Sequence, residues 1–277
     1  MNNSKASLNI IEPSKGWTPL DLKELWNYRE LLYFLTKRDI KVRYKQTVLG
    51  GLWAIIQPVF AMVVFTFFFG RLAKMPSDGV PYPIFVYAGL VPWTYFANSI
   101  SASGNSLVGN ANLITKVYFP RLIVPASASL AGLLDFFIAM LVLGGMMIYY
   151  QFVPSFNLLL FPVLLLLTFI CAVGAGLWLS ALNVQYRDIR YVIPFLVQIW
   201  MFISPVIYPV SMVKEKYQWL LAINPMGGVI KAYRASLLGY LPVDWFLLGI
   251  STAIIFLLFI SGLYYFSRME KAFADVI

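Results

Sequence analysis

Apolar and polar residues follow one another along this chain in long blocks, not in the short periods of a soluble fold. Six blocks read as membrane helices: Leu52–Gly70, Ile84–Ser103, Ile123–Tyr149, Leu158–Ala181, Tyr191–Tyr208 and Trp245–Phe266. Each is near the roughly 20 residues a helix needs to cross the hydrocarbon core. The third and fourth lie in one charge-free stretch, Phe136 to Tyr186, where Pro154, Ser155 and Asn157 supply the dividing turn. The predicted fold is an all-α integral membrane protein, with residues 51–277 as a six-helix transmembrane domain.

Residues 1–50 are expected to form a cytoplasmic arm and an amphipathic interface helix. Thr18, Pro19 and Asp21 mark a helix start. From Asp21 to Leu35, the residues Leu22, Leu25, Trp26, Leu32 and Tyr33 share one face, while Lys23, Glu24 and Glu30 fall mostly elsewhere. A helix lying in the membrane interface has this pattern, and so does a soluble helix packed on its neighbour. The stretch 39–58, DIKVRYKQTVLGGLWAIIQP, then sets where the membrane begins. It carries Asp39, Lys41, Arg43 and Lys45, after which no charge appears until Arg71.

Before the last block, residues 219–241 read WLLAINPMGGVIKAYRASLLGYL, apolar but interrupted by Asn224-Pro225 and Gly227-Gly228. Each piece is too short to span the bilayer. Short re-entrant helices dipping into the outer leaflet fit, tolerated only against protein or a cavity; an amphipathic surface helix is the other reading. Asn224, Pro225, Gly227 and Gly228 are the candidate outer gate.

Composition narrows the class. Hydrophobic residues make up 60% and charged residues 12%, against about 45–50% and 25% in soluble domains. The net charge of +9 does not point to nucleic acid, because the basic residues sit in short clusters between apolar runs. The N-terminus, residues 104–122 and 182–190 and the C-terminus hold 15 of them, and the opposite loops hold 6. That bias puts both termini in the cytoplasm. No signal peptide is visible, since the first apolar run starts near residue 51. One cysteine, Cys171, and no histidine exclude an internal disulfide and remove the commonest metal ligand. No Gly-Lys pair occurs, so there is no Walker phosphate loop. No metal or cofactor is expected on this chain, and energy must come from a partner or an ion gradient.

Two stripes stand out. Trp53, Phe60 and Phe67 recur every seven residues with Gln57 beside them, and Tyr191, Phe195, Gln198 and Phe202 are spaced four, three and four. Ordinary helix packing or lipid contact would also produce such stripes. Asp135 is the one acid deep within a predicted crossing. It implies either a hydrogen bond to a neighbouring helix or other protomer, or a proton or cation site.

Four segments carry a resemblance: DIKVRYKQTVLGGLWAIIQP at 39–58, NLITKVYFPRLIVPAS at 112–127, QYRDIRYVIP at 185–194 and INPMGGVIKAYR at 223–234. Together and in this order they resemble ABC-2 type permeases of the polysaccharide export group, which serves O-antigen, capsule and teichoic acid. The resemblance covers nearly the whole chain from about residue 15. It implies a bacterial inner-membrane homodimer above two ATPase subunits that hold ATP and Mg, moving a lipid-linked glycan among membrane lipids. The path between permeases would be lined by the first and fifth crossings, hence by the two stripes. Lys116, Tyr118, Phe119, Arg121, Tyr186, Arg187, Asp188 and Arg190 would meet the ATPase, unless the basic ones only enforce orientation. This chain would be a transport subunit and not an enzyme. The rivals are an exporter of a drug or lipid, a membrane glycosyl- or acyltransferase, and a proton-coupled transporter using Asp135. A transferase would need paired acids or a histidine near the membrane face.

Overall fold

A segment surrounded by hydrocarbon must satisfy its own backbone, and a single apolar run does so only as a helix. In the computed structural model of the chain the described residues are 22–45, 50–154, 156–186, 188–270 and 273, and all their regular elements are helical. Helices α1 (Leu22–Asn27) and α2 (Arg29–Lys45) lead to a short turn at Gly50–Leu52. Helix α3 (Trp53–Phe65) runs into a π-helical turn, Thr66–Leu72. Next come α4 (Tyr82–Gly109), α5 (Ala111–Lys116), α6 (Ile123–Ala131) and α7 (Leu133–Tyr149). The chain closes with α8 (Phe161–Gln185), α9 (Ile189–Ile203), α10 (Glu215–Ile223), α11 (Pro225–Leu238) and α12 (Trp245–Glu270).

Four helical stretches are long and apolar enough to cross a membrane: Gly50–Leu72, Ile123–Tyr149, Phe156–Gln185 and Trp245–Glu270. They match the expected first, third, fourth and sixth crossings. The other two differ for separate reasons. Helix α4 has 28 residues, about 42 Å at 1.5 Å each, but Ser, Asn, Gly and Tyr dilute its apolarity. Nineteen of those residues are buried, because α4 is the central helix, packed against α3, α6, α7, α8, α9 and α11. A helix covered by protein needs no lipid-compatible surface. Small polar groups fasten it instead: Ser103 Oγ donates to the Pro125 carbonyl (2.8 Å), and Asn183 Nδ2 to the Gly104 carbonyl (2.9 Å).

Helix α9 is shorter than its expected range. Its 15 residues reach about 22 Å and stop at Ile203, not Tyr208. Pro205 is the cause, since the residue before a proline is driven from the helical region, and Ser204 is extended (φ −85°, ψ 145°). The N-terminal helix is longer than expected. It breaks at Tyr28 and then continues to Lys45, while Asp21 lies outside the described residues. Leu35 is buried and α2 packs on α6, whereas Trp26 and Tyr33 stay exposed. Its apolar residues therefore divide between two directions.

The 219–241 segment breaks only at Asn224-Pro225. Gly227-Gly228 lies inside the first turn of α11, so the expected second interruption is absent. The two glycines permit close approach: a Cβ at Gly227 would sit 2.3 Å from the Leu221 carbonyl oxygen, and one at Gly228 2.6 Å from that of Leu247. Every residue of α11 but Lys231 is buried, and Gly239 at φ 66° ends it in the left-handed conformation.

Arg234 lies at the heart of this helix, 4% exposed. Among the described residues it has no ion pair. It donates instead to the carbonyls of Phe85 (3.0 Å), Pro205 (2.8 Å) and Val206 (2.6 Å), with its guanidinium 3.7 Å from the centre of the Phe85 ring. Gly89 makes the room, because a Cβ there would lie 2.6 Å from Arg234 Nη2. On the one side of α11 that is not buried, Lys231 Nζ pairs with Asp244 (2.8 Å), which also accepts from the Leu247 amide (3.0 Å) at the start of α12.

Two outcomes follow from these contacts. Removing the guanidinium strands buried carbonyls, at about 1–3 kcal/mol for each unpaired group. Arg234→Met is expected to lower the thermal midpoint of the solubilised chain more than Arg234→Lys, with Gly89→Val resembling Arg234→Met. An Arg234→Met chain as stable as the wild type would refute the role. For Asp244, burial raises the carboxyl pKa, but the Leu247 amide, the Lys231 ammonium and the Phe246 amide together outweigh it and hold the group below the usual carboxylate range. A depressed folded pKa gives stability that is complete above the unfolded value and fades as pH falls through the folded one. The stability gap between wild type and Asp244→Asn should be steady from about pH 5 to 7 and shrink below about pH 4.

Candidate functional site

Trp53, Gln57 and Phe60 stand about a turn apart on α3, with Phe67 in the π-helical turn beyond. All four are exposed, as are Tyr191, Phe195, Gln198 and Phe202 on α9. Pro58 is the one buried residue of Gly50–Leu72, whereas 14 of the 25 residues of α8 are buried. Ile193 is the one buried residue of α9. Both helices pack on α4 and turn their aromatic–glutamine stripes away from the chain's own core. Each stripe is thus a free surface of the single chain.

Trp53 and Gln57 also line a cavity of about 350 Å³ between α2, α3, α4 and α7. Arg43 and Tyr44 enter it from α2, Thr94 and Asn98 from α4, and Asp135 from α7. The Asp135 carboxylate accepts from the Arg43 guanidinium and the Tyr44 hydroxyl. The acid with no second charge in its own span therefore finds its partner in the basic segment ahead of the first span. Of the two readings of Asp135, the bond to a neighbouring helix is the one observed.

The segments expected to meet an ATPase sit beyond the ends of α4 and α8. Lys116, the last residue of α5, and Tyr118 just beyond it are exposed, as are Tyr186, Asp188 and Arg190; Arg187 lies outside the described residues. Phe119 and Arg121 face inward. Phe119 is buried with Leu35, Leu107, Ile114, Phe266 and Phe273. Arg121 donates from its guanidinium to the Glu270 carbonyl and from its amide to the Glu270 side chain (3.0 Å). These two fix the segment to α12 while their neighbours present its outer side.

At the other end, Asn224 joins three elements. Its Oδ1 accepts from Trp200 Nε1 (2.9 Å) and from the Met226 amide (3.1 Å), capping α11. Its Nδ2 donates to Ser204 Oγ (2.8 Å). Pro225 follows as the first residue of α11, and the Gly228 amide donates to Ser251 Oγ (3.1 Å) on α12. The four candidate gate residues are thus packed between the end of α9 and the start of α12.

Sequence reading missed three residues. Arg234 had a signal, a cation inside an apolar run that otherwise carries only Lys231. Thr94 and Asn98 also had one, since with Ser101 they are spaced four and three along the second block. The partners of Asp135 had none, because they are 91 and 92 residues away.

Residues 30–238 match the family model of the ABC-2 type transporter, a range running from α2 to the end of α11. The chain is 32% identical over 263 residues to the O-antigen export system permease protein RfbA of Myxococcus xanthus, covering 92% of this chain and 98% of that protein. A Klebsiella pneumoniae protein of the same name is 29% identical over 250 residues, with 90% and 95% covered. The polysialic acid transport protein KpsM of Escherichia coli is 26% identical over 210 residues, with 74% and 80% covered. The stripes, the polar cavity and α11 all fall inside the matched range, and the chain belongs to the ABC-2 type transporter family.

Proposed function

We propose that this chain is the membrane permease subunit of an ATP-driven exporter that moves a lipid-linked, O-antigen-like polysaccharide outward across a bacterial inner membrane. The observation that carries the reading is the pair of exposed aromatic–glutamine stripes on a chain similar over nearly its full length to O-antigen export permeases. A second copy facing the first would enclose the stripes, making a homodimer with the path between protomers. Helices α4 and α9 serve as the second and fifth crossings, which brings the number to six and both termini to the cytoplasmic side. Aromatic faces give sugar rings broad contact, while the amides of Gln57 and Gln198 exchange hydrogen bonds with hydroxyls. Repeated weak contacts permit movement where one strong site would trap the polymer.

ATP and Mg belong to two separate ABC ATPase subunits. These act on Lys116, Tyr118, Tyr186, Asp188 and Arg190, and Phe119 and Arg121 pass the displacement into the bundle. Asn224, Pro225, Gly227 and Gly228 act at the outer gate, which a shift of α9 would move through Trp200 and Ser204. Asp135 serves to hold α2 against α7, so no proton coupling is assigned to it.

The reading is tested by reconstituting the chain with its ABC ATPase in vesicles and measuring ATP-dependent transport of the lipid-linked glycan. Lys116→Glu combined with Arg190→Glu alters only exposed side chains, and is expected to cut ATPase co-purification at least about fivefold with the fold intact. Unchanged association and transport would remove the coupling assignment. A further comparison concerns the acid. Asp135→Asn keeps an acceptor for Tyr44, whereas Arg43→Ala leaves the carboxylate with the hydroxyl alone. Arg43→Ala should therefore cost more stability, by on the order of 1 kcal/mol given the partial exposure of the pair. Asp135→Asn should keep most transport, and an assembled Asp135→Asn complex with none would reinstate a proton site.

A further inference from the structure

The cavity between α2, α3, α4 and α7 offers more hydrogen-bonding capacity than the fold uses. Gln57, Thr94 and Asn98 line it, and none of their side chains forms a hydrogen bond among the described residues. The two formal charges in its wall, Arg43 and Asp135, are paired with each other. Trp53, Tyr95 and Phe136 add aromatic surface. Gln57 lies on α3, and Thr94 and Asn98 on the central helix α4, flanked by stretches long and apolar enough to cross a membrane; in such surroundings a polar side chain without a partner is costly. Three such groups lining one space call for a polar occupant.

We propose that this cavity is a sugar subsite, receiving one pyranose ring of the glycan at the inner end of the path. It rests on the polysaccharide-export reading above and names where the polymer is first held. The volume of about 350 Å³ lies at the lower end of the ~300–1,000 Å³ range of ligand pockets, which suits a ring and not an extended chain. The amides of Gln57 and Asn98 each offer donors and an acceptor, and the Thr94 hydroxyl does both. Neutral sugar hydroxyls answer that pattern, and the aromatic side takes the apolar C–H face of the ring. A phosphate would meet a cation that Asp135 already neutralises. An alkyl tail would leave the amides unpaired. Few, neutral contacts make the site weak, as a step in translocation requires.

The test uses the full chain in lipid nanodiscs free of sugar-based detergent, with methyl glycosides of glucose, galactose, mannose and N-acetylglucosamine as probes. Saturation-transfer NMR is expected to carry magnetisation from the protein to the ring protons of at least one glycoside. Thr94→Val with Asn98→Leu keeps the volume and removes the polar groups, and should cut the signal at least about fivefold. Gln57→Leu, on the exposed rim, should lower it too and serves if the double variant does not fold. No transfer to the wild type, or equal transfer to wild type and variants, overturns the subsite. So does a response to inorganic pyrophosphate alone, read as ³¹P line broadening that Arg43→Gln abolishes. The two readings fail separately. A wild-type complex that transports glycan while the chain binds no glycoside overturns the subsite alone. Glycoside binding without any glycan transport by the wild-type complex overturns the export reading, and with it the assignment of the bound ring to a polymer.

Discussion

A guanidinium buried without a counter-ion must direct its donors at neutral acceptors, and Arg234 meets this demand with carbonyls that come from two places. Phe85 belongs to the first turn of α4; Pro205 and Val206 belong to the stretch where α9 has stopped being a helix. The last two carbonyls have no helical partner to turn to, so the cation and the broken helix each supply what the other lacks. Gly89 gives up a side chain to admit the group. The early end of α9, set by Pro205, the burial of α11 and the close seating of α11 on α4 meet in this one arrangement. A longer, unbroken α9 would withdraw those carbonyls and leave a charge in an apolar interior.

Near the opposite end of the bundle, Asp135 plays a related part with a different chemistry. Its carboxylate lies in a spanning helix, but its donors, Arg43 and Tyr44, come from the helix that precedes the first span. The pair therefore joins the basic segment ahead of the first span to the start of α7. Helices α3 and α9, which carry the stripes, are each adjacent to one of these polar joints. Helix α9 is tied to α11 through Trp200–Asn224 and the Arg234 acceptors. Helix α3 begins nine residues after Tyr44 and lines the same cavity as Asp135. Movement of either stripe must work against a joint, which gives the stripes defined positions despite their scant burial.

What the sequence allowed one to read follows from which signals are local. Apolar runs in Gly50–Leu72, Ile123–Tyr149, Phe156–Gln185 and Trp245–Glu270 are local, and each was legible to within a few residues at most boundaries. Helix α4 was legible as a long block, though not as the centre of the bundle, because centrality depends on neighbours and not on composition. The stop at Ile203 was written in Pro205, yet the apolar run through Tyr208 concealed it. Gly227-Gly228 reads as a break in the sequence, since glycine in a helix has two meanings and only the adjacent Leu221 and Leu247 carbonyls decide between them. All eight stripe residues are exposed, as either a path or a lipid-facing surface requires. The pairing of Asp135 with Arg43 had no sequence signal at all, being long-range.

The polar side chains of the membrane region divide by whether the fold satisfies them. Arg234, Asn224, Asn183, Ser103 and Asp135 all have partners within the chain, and each joins helices. Gln57, Thr94, Asn98 and Gln198 form no side-chain hydrogen bonds among the described residues, and each lies on a stripe or in the cavity beside it. A structural polar group in hydrocarbon is retained because its partner repays desolvation, so groups without partners need another reason to persist. On the proposed reading, amides and hydroxyls facing a shared polar path have such a reason, because a passing hydroxylated polymer or its water supplies the missing bonds in turn. The same incompleteness keeps any one contact weak, and weakness at every position is the physical condition for a polymer to keep moving.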